Sequence, residues 1–287
     1  TYFGYWKDDG FIKIKNRGRV DGGDWNKLQE KFIKSYLAKE TKLNISVCKK
    51  ITAEEEWCAE AFMETDYSKL SNQNFIKKIH QFSGFQFLLG NTDNVSKKSI
   101  LNTKINLDIS KWKYFKYDEI FKIYKGYYNK KPLSNINGNI PFIGATEYNN
   151  GITSMHDLTE IELTSKDGSE RNHNIDSKVF DPNCITISNN GSVGYAFYQT
   201  RKFTCSHDVN PVRLLDGKLN PFRALFLSTL IELEQFRWAY GRKWRPLRMP
   251  SSLIKLPVLK DTKEPDWIYI ENYIKSLPFS NNLENFI

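Results

Sequence analysis

The sequence predicts an α+β fold with a small N-terminal helical unit, a mixed β-sheet domain with packed helices, and a C-terminal connector helix. Three observations support this prediction. Apolar residues recur at helical spacing behind capping residues within residues 1–90. Short apolar runs between turn residues begin at residue 111, and Pro265 and Asp266 open a last helical pattern. The 40% hydrophobic and 14% aromatic content is enough for a packed core and excludes a disordered chain.

These patterns divide the 287 residues into three predicted segments. Residues 1–110 comprise the helical unit and a linker, because residues 91–110 are polar and weakly patterned. Residues 111–262 comprise the mixed domain, and residues 263–287 contain the last helix. The apolar residues of that helix stand at nearly heptad spacing, which predicts either docking on the domain or connection to a partner helix: Trp267, Ile270, Ile274 and Leu277.

The first segment opens with a predicted hairpin or extended arm, in which aromatic and aliphatic residues alternate with Lys and Arg. Three helices are predicted to follow it. Asp24 is the expected N-cap of the first helix, and a capping box at Thr52 begins the second, which includes Trp57. The third helix is expected to begin near Ser71 and to end at Gly90.

The middle segment alternates strands with turns. Asn189-Asn190-Gly191 is a predicted tight turn between two strands, and the polar segment Leu163–Ser177 is a predicted mobile loop. A helix with Asn220 as N-cap and Pro221 as first residue is expected to continue to Gly241. The predicted strands are Ile140–Ala145, Cys184–Ser188, Val193–Tyr198, Val209–Leu214 and Ile254–Val258.

A basic stretch, Gln235–Lys260, stands out from the rest of the chain. It holds seven cationic residues and no acidic one, and Trp238, Tyr240 and Trp244 lie among its arginines. Arginine offers a planar fork of donors that fits phosphate or the O6/N7 edge of guanine, and aromatic rings can stack on bases. The basic stretch and the net charge of +9 together favour a polyanionic partner, and nucleic acid is the first candidate. The alternative is a solvated basic loop whose tryptophans belong to the core.

The sequence contains no recognisable catalytic motif. It has neither a GxGxxG pattern nor P-loop spacing, and Asn220-Pro221-Phe222 lacks the second proline of an amino-methyltransferase motif. Ser206-His207-Asp208 are chain neighbours and cannot form a catalytic triad by that adjacency, so His207 is expected to be structural or to contact phosphate. Glu271 and Lys275 after Pro265 lack nuclease spacing and favour a capped helix. We therefore expect no catalytic residue.

Metal, disulfide and membrane chemistry are also not expected. The cysteines show no CxxC spacing, which indicates buried free thiols in a reducing cytoplasm: Cys48, Cys58, Cys184 and Cys205. No apolar run approaches membrane-spanning length, and no signal peptide opens the chain. The chain is therefore expected to be cytoplasmic, without a metal or cofactor of its own.

Five segments resemble, in their order and spacing, the target-recognition domain of type I restriction–modification specificity subunits and of their type IIG relatives. They are WKYFKYDEIFKIYKG (112–126), IPFIGATEYNNGI (140–152), ITISNNGSVGYAFYQTRKFTCSHDVNPVRLL (185–215), FRWAYGRKWRPLRMPSSLIKLPV (236–258) and PDWIYIENYIKSLPFS (265–280). The N-terminal stretch YFGYWKDDGFIKIKNRGR (2–19), with the helices up to Gly90, resembles the tail of the adenine-N6 methyltransferase subunit in the same systems.

The resemblance implies a bacterial protein that recognises one part of a split double-stranded DNA target and has no catalysis of its own. It implies an adenine-N6 methyltransferase, fused or separate, and an endonuclease subunit as partners, with S-adenosylmethionine and Mg²⁺ confined to them. Residues 265–287 would begin the helix that spaces two recognition domains. This chain departs from the family in having one such domain, so a bipartite target would need a homodimer or another chain.

On this resemblance, DNA contacts are expected from cations and from asparagines in turns. Cations would contact phosphates and bases, and asparagine amides would contact adenine edges, although turn chemistry is the alternative for each asparagine. Trp244 is a further candidate that would either contact DNA or belong to the core. The cations are Arg242, Lys243, Arg245, Arg248, Lys130, Lys131, Arg201 and Lys202, and the asparagines are Asn149, Asn150, Asn189 and Asn190.

Two functions of other classes stay open. The chain could be a protein-assembly module of such a complex, with a basic and aromatic face that meets an acidic protein. It could also be part of a fused methyltransferase or nuclease whose catalytic motifs lie elsewhere. The assembly-module alternative predicts that the chain does not bind duplex DNA. The enzyme alternative predicts activity in an assay that supplies metal or methyl donor.

Overall fold

The chain forms two compact units in a computed structural model. The first unit comprises Thr1–Asp66 with Glu234–Lys243, and the second comprises Tyr67–Leu233 with Trp244–Ile287. The structure describes residues 2–5, 12–15, 56–57, 65–168, 173–238 and 243–287. The predicted helix at Asp24, the capping box at Thr52, Cys48 and Cys58 lie outside these residues.

The described part of the first unit contains a three-stranded antiparallel sheet. Strands β1 (Tyr2–Tyr5) and β2 (Ile12–Lys15) form the predicted hairpin, and β3 (Glu56–Trp57) pairs with the other edge of β1. The prediction of a helix through Trp57 was wrong, because the pairing of Trp57 with Phe3 places it in a sheet. A local capping signal is a weak preference that such tertiary pairing overrides.

The second unit carries most of the regular structure. A 17-residue helix precedes a series of short strands and short helices, and two further helices follow these strands. Its elements are α1 (Asn72–Leu88), β4 (Lys113–Lys116), α2 (Tyr117–Ile120), β5 (Phe121–Ile123), β6 (Ile140–Ile143), β7 (Ile152–His156), α3 (Leu158–Leu163), β8 (Val179–Phe180), β9 (Cys184–Ser188), β10 (Ala196–Gln199), β11 (Phe203–Cys205), β12 (Val209–Leu214), α4 (Pro221–Glu232), β13 (Leu253–Leu256) and α5 (Trp267–Lys275). Single 3₁₀ turns occupy Tyr67–Lys69, Asn149–Gly151 and Ile175–Ser177, and a longer one occupies Ser280–Phe286.

Three sheets build this unit. An antiparallel sheet has the order β10-β9-β12-β5, a mixed sheet has the order β7-β6-β11-β8 with β6 and β11 parallel, and β13 pairs with β4. The helices and mixed sheets confirm the predicted α+β class. All five residues of β9 are buried, which is typical of a central strand covered on both faces.

The three long helices begin where the sequence predicts. Ser71 and Asn74 bond reciprocally at the start of α1, and Gly90 takes a left-handed conformation (φ +70°) just after its end. The Asn220 side chain accepts a hydrogen bond from Arg223 N at the start of α4, and the Asp266 side chain caps α5. Helix α4 ends at Glu232, so the prediction that it continues to Gly241 was wrong.

Helix α4 is the centre of the helical layer. Its residues are buried around most of its circumference, since it contacts β10 on one side and α1 and α5 on others. The Phe226 ring stacks on Phe75 of α1 at 5.0 Å and lies 6.0 Å from Tyr273 of α5 and 5.6 Å from Trp112. A helix that is apolar all round is one that packs on several neighbours.

Residues 91–110 belong to the second compact unit, and the predicted domain boundary at residue 110 stays a prediction. Leu101 N donates to Lys275 O at 2.9 Å, and Asn282 accepts from Ser96 N and donates to Ser96 O. These bonds tie the polar segment to the carboxyl end of the chain, and the units divide after Asp66. Polarity alone marks irregular backbone and does not reveal what that backbone contacts.

Helix α5 is docked on the second unit, which is one of the two predicted alternatives. Ile270, Tyr273 and Ile274 are buried, and Glu271 accepts hydrogen bonds from Arg223 Nε at 2.6 Å and from Asn220 Nδ2 at 2.9 Å. Burial opposes ionisation of Glu271, but these hydrogen bonds outweigh it and hold the pKa of the carboxyl below its usual value. Glu271 is thus part of a structural ion pair. The connector role of residues 263–287 stays a prediction.

Gly126 marks the closest backbone approach near the strands of the antiparallel sheet. A Cβ at this position would lie 1.9 Å from Ser206 O and 2.5 Å from Val209 O, and Gly126 N donates to Val209 O at 3.1 Å. These are backbone atoms that cannot rotate away. Only glycine fits here, because it has no Cβ.

We expect Gly126→Ala to lower the free energy of unfolding by at least about 3 kcal/mol, because β5, β12 and the turn at Ser206 would have to separate. Thermal denaturation measures this change. Gly84→Ala is the matched control, since its Cβ meets nothing within 4 Å and alanine is favoured in a helix by roughly 1 kcal/mol. Equal melting temperatures for the two variants would contradict the close approach.

We expect Glu271→Gln to lower the free energy of unfolding by about 1–3 kcal/mol at neutral pH. The folded-state pKa of Glu271 is depressed, so its contribution is present above the unfolded pKa of a glutamate and is lost as pH falls through the folded pKa. The difference from wild type should therefore shrink in acid. Urea titrations at several pH values measure it, with exposed Glu284→Gln as control. A difference independent of pH would refute the ion-pair assignment.

Candidate nucleic-acid interface

Several loops meet at the end of strand β9 in the second unit. Trp244 N donates to Asn189 O at 3.0 Å, and Asn189 N donates to Asp208 O at 2.8 Å. His207 N in turn donates to Tyr128 O at 2.8 Å. Loops distant in sequence are thereby joined through main-chain hydrogen bonds.

A further loop joins them through Lys130 N, which donates to Lys166 O at 3.2 Å. We call this surface the basic edge and define it as residues 128–131, 166–168, 189–191, 206–208 and 244–248 of the second unit. Its cations outnumber its carboxylates by more than two to one. The cations are Lys130, Lys131, Lys166, Arg245 and Arg248, and the carboxylates are Asp167 and Asp208.

The cations of the basic edge face solvent to different extents. Lys130, Lys131 and Arg245 are exposed, whereas Lys166 and Arg248 are half-buried. Long cationic side chains near one another create a positive field that attracts a polyanion. The fold therefore places four of the predicted contacts on loops that main-chain hydrogen bonds link to one another, namely Lys130, Lys131, Arg245 and Arg248. Lys243, a fifth candidate, is half-buried and is the last residue of the first unit.

Trp244 anchors the turn that carries the arginines. Its side chain is fully buried, its ring packs edge-on against Tyr117 at 5.2 Å, and its Nε1 donates to Ser252 Oγ at 2.8 Å. Met249 is fully buried at the other end of the turn, and Arg248 N donates to Arg245 O at 2.8 Å. Trp244 is thus a core residue in this structure, and its prediction as a DNA contact is corrected by its burial.

Asn189 is also structural. It is 3% exposed, and both hydrogens of its amide are used, since Nδ2 donates to His207 O at 3.1 Å and to Asn210 Oδ1 at 2.6 Å. Asn210 Nδ2 donates onward to Tyr124 O at 2.7 Å. A buried amide with its donors satisfied cannot also bind a base, so the predicted DNA contact at Asn189 is replaced by a role in holding the loops.

Asn190 differs from its neighbour. Its side chain is half-buried, and its Nδ2 donates to Asp208 Oδ1 at 2.9 Å. His207 lies beside the same carboxylate, with Nε2 at 3.4 Å from Asp208 Oδ1 and Nδ1 at 3.1 Å from Tyr128 O. Asn190 is the asparagine among the four candidates that the fold places on the basic edge with part of its amide exposed.

Asn149 and Asn150 lie beside β10. Both have left-handed backbone conformations (φ +51° and +52°), which asparagine tolerates better than most residues. Asn150 Nδ2 donates to Tyr198 O at 2.9 Å, and Gln199 Nε2 donates to Asn150 O at 3.1 Å. Turn chemistry and anchoring to β10 account for both residues, and they are not part of the basic edge.

Arg201 and Lys202 lie at the opposite end of β9 from the basic edge. They follow Gln199, which pairs with Cys184 at the start of β9, whereas Asn189 follows the end of that strand. A five-residue strand separates the two ends by roughly 13 Å. The fold therefore does not bring these two cations together with the others. Arg242 lies outside the described residues.

Buried polar groups hold the loop that carries Lys166. Lys178 is fully buried, and its Nζ donates to Glu162 O at 2.7 Å and to Thr164 O at 2.8 Å at the carboxyl end of α3. Tyr128 OH donates to Ile161 O at 2.8 Å. Burial lowers the pKa of Lys178 and raises the pKa of Tyr128. A cation beside the last carbonyls of a helix is favourable.

Sequence reasoning missed Lys166 and did not assign Asp208 a role. Lys166 lies in a polar segment that the sequence predicts only as a loop, and nothing in its neighbours distinguishes it from other surface lysines. Asp208 follows His207, and that adjacency gives no signal of the bond to Asn190. These contacts join residues 18 to 36 positions apart, which local patterns do not encode.

The basic edge offers binding groups and no reactive constellation. Within the described ranges, no group of three His, Cys, Asp or Glu side chains is placed to hold a metal ion. Ser206 Oγ accepts from Asp208 N at 3.2 Å, so Ser206, His207 and Asp208 form a turn and not a triad. Burial raises the pKa of the Cys184 thiol to about 12, which keeps it protonated. No described helix is long and apolar enough to cross a membrane.

Two solved structures resemble this chain at low sequence identity. The type I restriction–modification S subunit from M. genitalium is 12% identical, with 74% of this chain and 46% of that chain covered and a TM-score of 0.39. The HsdS subunit from Thermoanaerobacter tengcongensis is 13% identical, with 75% and 47% covered and a TM-score of 0.39.

Sequence comparisons give a closer match. The type II restriction enzyme BgcI specificity subunit S.BcgI from Heyndrickxia coagulans is 36% identical over 167 residues, which is 57% of this chain and 42% of that protein. The chain thus spans less than half the length of this curated relative. The family model described as "Type I restriction modification DNA specificity domain" matches residues 109–287. Because that match covers more than half of the 287 residues, the chain belongs to the type I restriction modification DNA specificity domain family.

Proposed function

We propose that this chain is a sequence-specific DNA recognition module of a restriction–modification system and that it binds duplex DNA through the basic edge. The observation that carries the proposal is the convergence of five cations on loops joined by main-chain hydrogen bonds. Cations held at fixed positions can contact several phosphates at once, because the phosphates of a duplex are regularly spaced. Membership of the specificity-domain family favours DNA over other polyanions.

The basic edge contains groups of both kinds that sequence-specific binding needs. Lys130, Lys131 and Arg245 are exposed cations for the phosphate backbone, and Asn190 offers an amide for a base edge. The loops that carry them are tied to β9, Trp244 and Lys178, so little ordering is required on binding. Such preorganisation limits the conformational entropy that complex formation costs.

The partners and the chemistry of the complex are part of the same proposal. An adenine-N6 methyltransferase, fused or separate, and an endonuclease subunit would act at the site that this module selects. S-adenosylmethionine and Mg²⁺ would bind to those partners, and the complex would work in the cytoplasm. A split target would require a second recognition domain, because this chain has one. A homodimer with C₂ symmetry would supply two equivalent DNA-binding surfaces, and a second recognition chain is the other source.

Selection of this chain against a randomised duplex DNA pool at near-physiological salt tests the proposal. We expect enrichment of a short motif, because base contacts discriminate by about 1–3 kcal/mol for each position. Binding without enrichment would limit the chain to backbone contacts. If no duplex is bound even at low salt, the proposal fails and the assembly-module alternative gains support.

We expect Arg245→Ala and Arg248→Ala each to weaken duplex binding and to flatten the dependence of log K on log salt by about 0.9 for each phosphate that is no longer neutralised. Titrations at several salt concentrations measure the slope. Lys202→Ala is the matched control, because it removes an exposed cation at the far end of β9. An unchanged slope in both arginine variants, or an equal change in the control, would exclude the basic edge as the phosphate-binding surface.

A further inference from the structure

Two adjacent asparagines at the end of β9 have opposite hydrogen-bonding states. Asn189 has used both of its amide hydrogens on His207 O and Asn210 Oδ1. Asn190 has used one, on Asp208 Oδ1 at 2.9 Å. Among the described residues, no hydrogen bond reaches the second hydrogen of Asn190 or its Oδ1. Half of this amide is therefore still available for a ligand.

The carboxylate of Asp208 fixes which way the Asn190 amide points. An ionised carboxylate only accepts hydrogen bonds, so the amide nitrogen of Asn190 must face it and the oxygen must point elsewhere. The alternative flip would put two oxygens in contact. The orientation of the amide therefore follows from the chemistry of its partner.

The free half of the amide has the donor and acceptor pattern that complements adenine. This pattern requires that Asp208 takes the amide hydrogen that points away from Asn190 Oδ1. The remaining N–H and the C=O then lie side by side and match adenine N7, which accepts, and N6, which donates. Guanine presents two acceptors in the same places, so the Asn190 oxygen would face O6 of guanine. Cytosine and thymine offer one matching group each. The amide that Asp208 orients is therefore selective for adenine.

Asn190 also lies beside the turn that carries the arginines of the basic edge. Trp244 N donates to the carbonyl of the preceding residue, Asn189, which places the turn of Arg245 and Arg248 beside it. Gly191 after Asn190 provides the positive φ (+74°) that the turn requires. Arg245 and Arg248 would hold phosphates while the amide enters the adjacent groove.

We propose that Asn190 contacts an adenine of the DNA target through N6 and N7 and that Asp208 is the positioning residue that orients its amide. This inference rests on the proposed function and names the residue and the base that would supply part of its specificity. It also explains why Asp208 lies among the cations of the basic edge, where its charge opposes phosphate binding. Asp208 contributes to base preference at the expense of overall affinity for DNA.

The first test uses the duplex that the wild-type chain selects, with each adenine replaced in turn by 7-deazaadenine, which lacks the N7 acceptor. We expect one position at which this replacement weakens wild-type binding by about 5- to 100-fold. Asn190→Ala should weaken binding to the natural duplex by a similar factor and should show no further weakening on that modified one. If Asn190→Ala is as sensitive to 7-deazaadenine as wild type at every position, the assignment is wrong.

The second test separates positioning by Asp208 from a merely structural role. We expect Asp208→Ala to lose the preference at the same adenine but to bind unrelated duplexes as tightly as wild type or more tightly, because a negative charge has been removed. Asp208→Asn keeps an oxygen that can accept from Asn190, so it should recover part of the preference. A fall in affinity for every duplex together with a lower melting temperature would overturn the positioning role.

A matched control lies outside the basic edge. Asn102 is an exposed asparagine of the second unit, and no carboxylate of the described residues bonds to its side chain, so Asn102→Ala should leave the base preference unchanged. A change of preference at the same adenine in this variant would overturn the assignment to Asn190. The failures of the two proposals are distinguishable. If the wild-type chain enriches no motif, the proposed function fails, whereas a motif that Asn190→Ala leaves intact refutes only this inference.

Discussion

The structure of the second unit depends on the pairing of strand β9 on both of its edges. All five residues of β9 are buried, so its backbone amides and carbonyls have no water to bond with and must be paired within the protein. Strand β10 satisfies one edge and β12 the other, both antiparallel. The buried backbone just past the end of the strand also needs hydrogen-bond partners. Asn189 N donates to Asp208 O, and Asn189 O accepts from Trp244 N. The positions of the basic loops therefore follow from satisfying the hydrogen bonds of one central strand.

The basic edge combines exposed charge with buried attachment. Arg245 and Lys130 face solvent, but their loops are attached to the interior. Buried Trp244 anchors the turn of Arg245, and Lys130 N donates to Lys166 O in the loop that buried Lys178 holds through Thr164 O. This arrangement suits a surface that must present cations at fixed spacing, since a desolvated anchor restricts the loop while the charged ends stay hydrated. An ion pair between buried Lys78 and half-buried Glu232 joins α1 to α4 and holds β10 through Ala196 O and N. Ion pairs of this kind are costly to bury, and here each partner also bonds to backbone atoms, which offsets that cost.

Local sequence patterns predict those helix and strand ends that interactions between residues close in the chain determine. The helix starts at Ser71, Asn220 and Asp266 are predictable because a capping side chain and the amide it accepts from are three residues apart. Strands β9 and β12 have their predicted ends, since both are apolar runs bounded by turn residues. The predictions for Trp57 and for the end of α4 were wrong. Pairing with Phe3 decides the first. For the second, the α-helix ends at Glu232 and a 3₁₀ turn, Gln235–Trp238, follows it, although no local helix-ending residue stands there.

For the candidate site too, local sequence features and tertiary contacts determined different properties. The sequence by itself determined the family, the α+β class and the abundance of cations in residues 243–248, because these depend on composition, periodicity and motif order. Only the tertiary structure decided where the candidates lie. It links the loops of Lys130 and Arg245 through main-chain hydrogen bonds, buries Trp244 and Asn189, and leaves Arg201 at the far end of β9. It also paired Asn190 with Asp208, 18 residues away. Contacts of this kind arise from strand pairing and burial across the chain, and no local spacing encodes them.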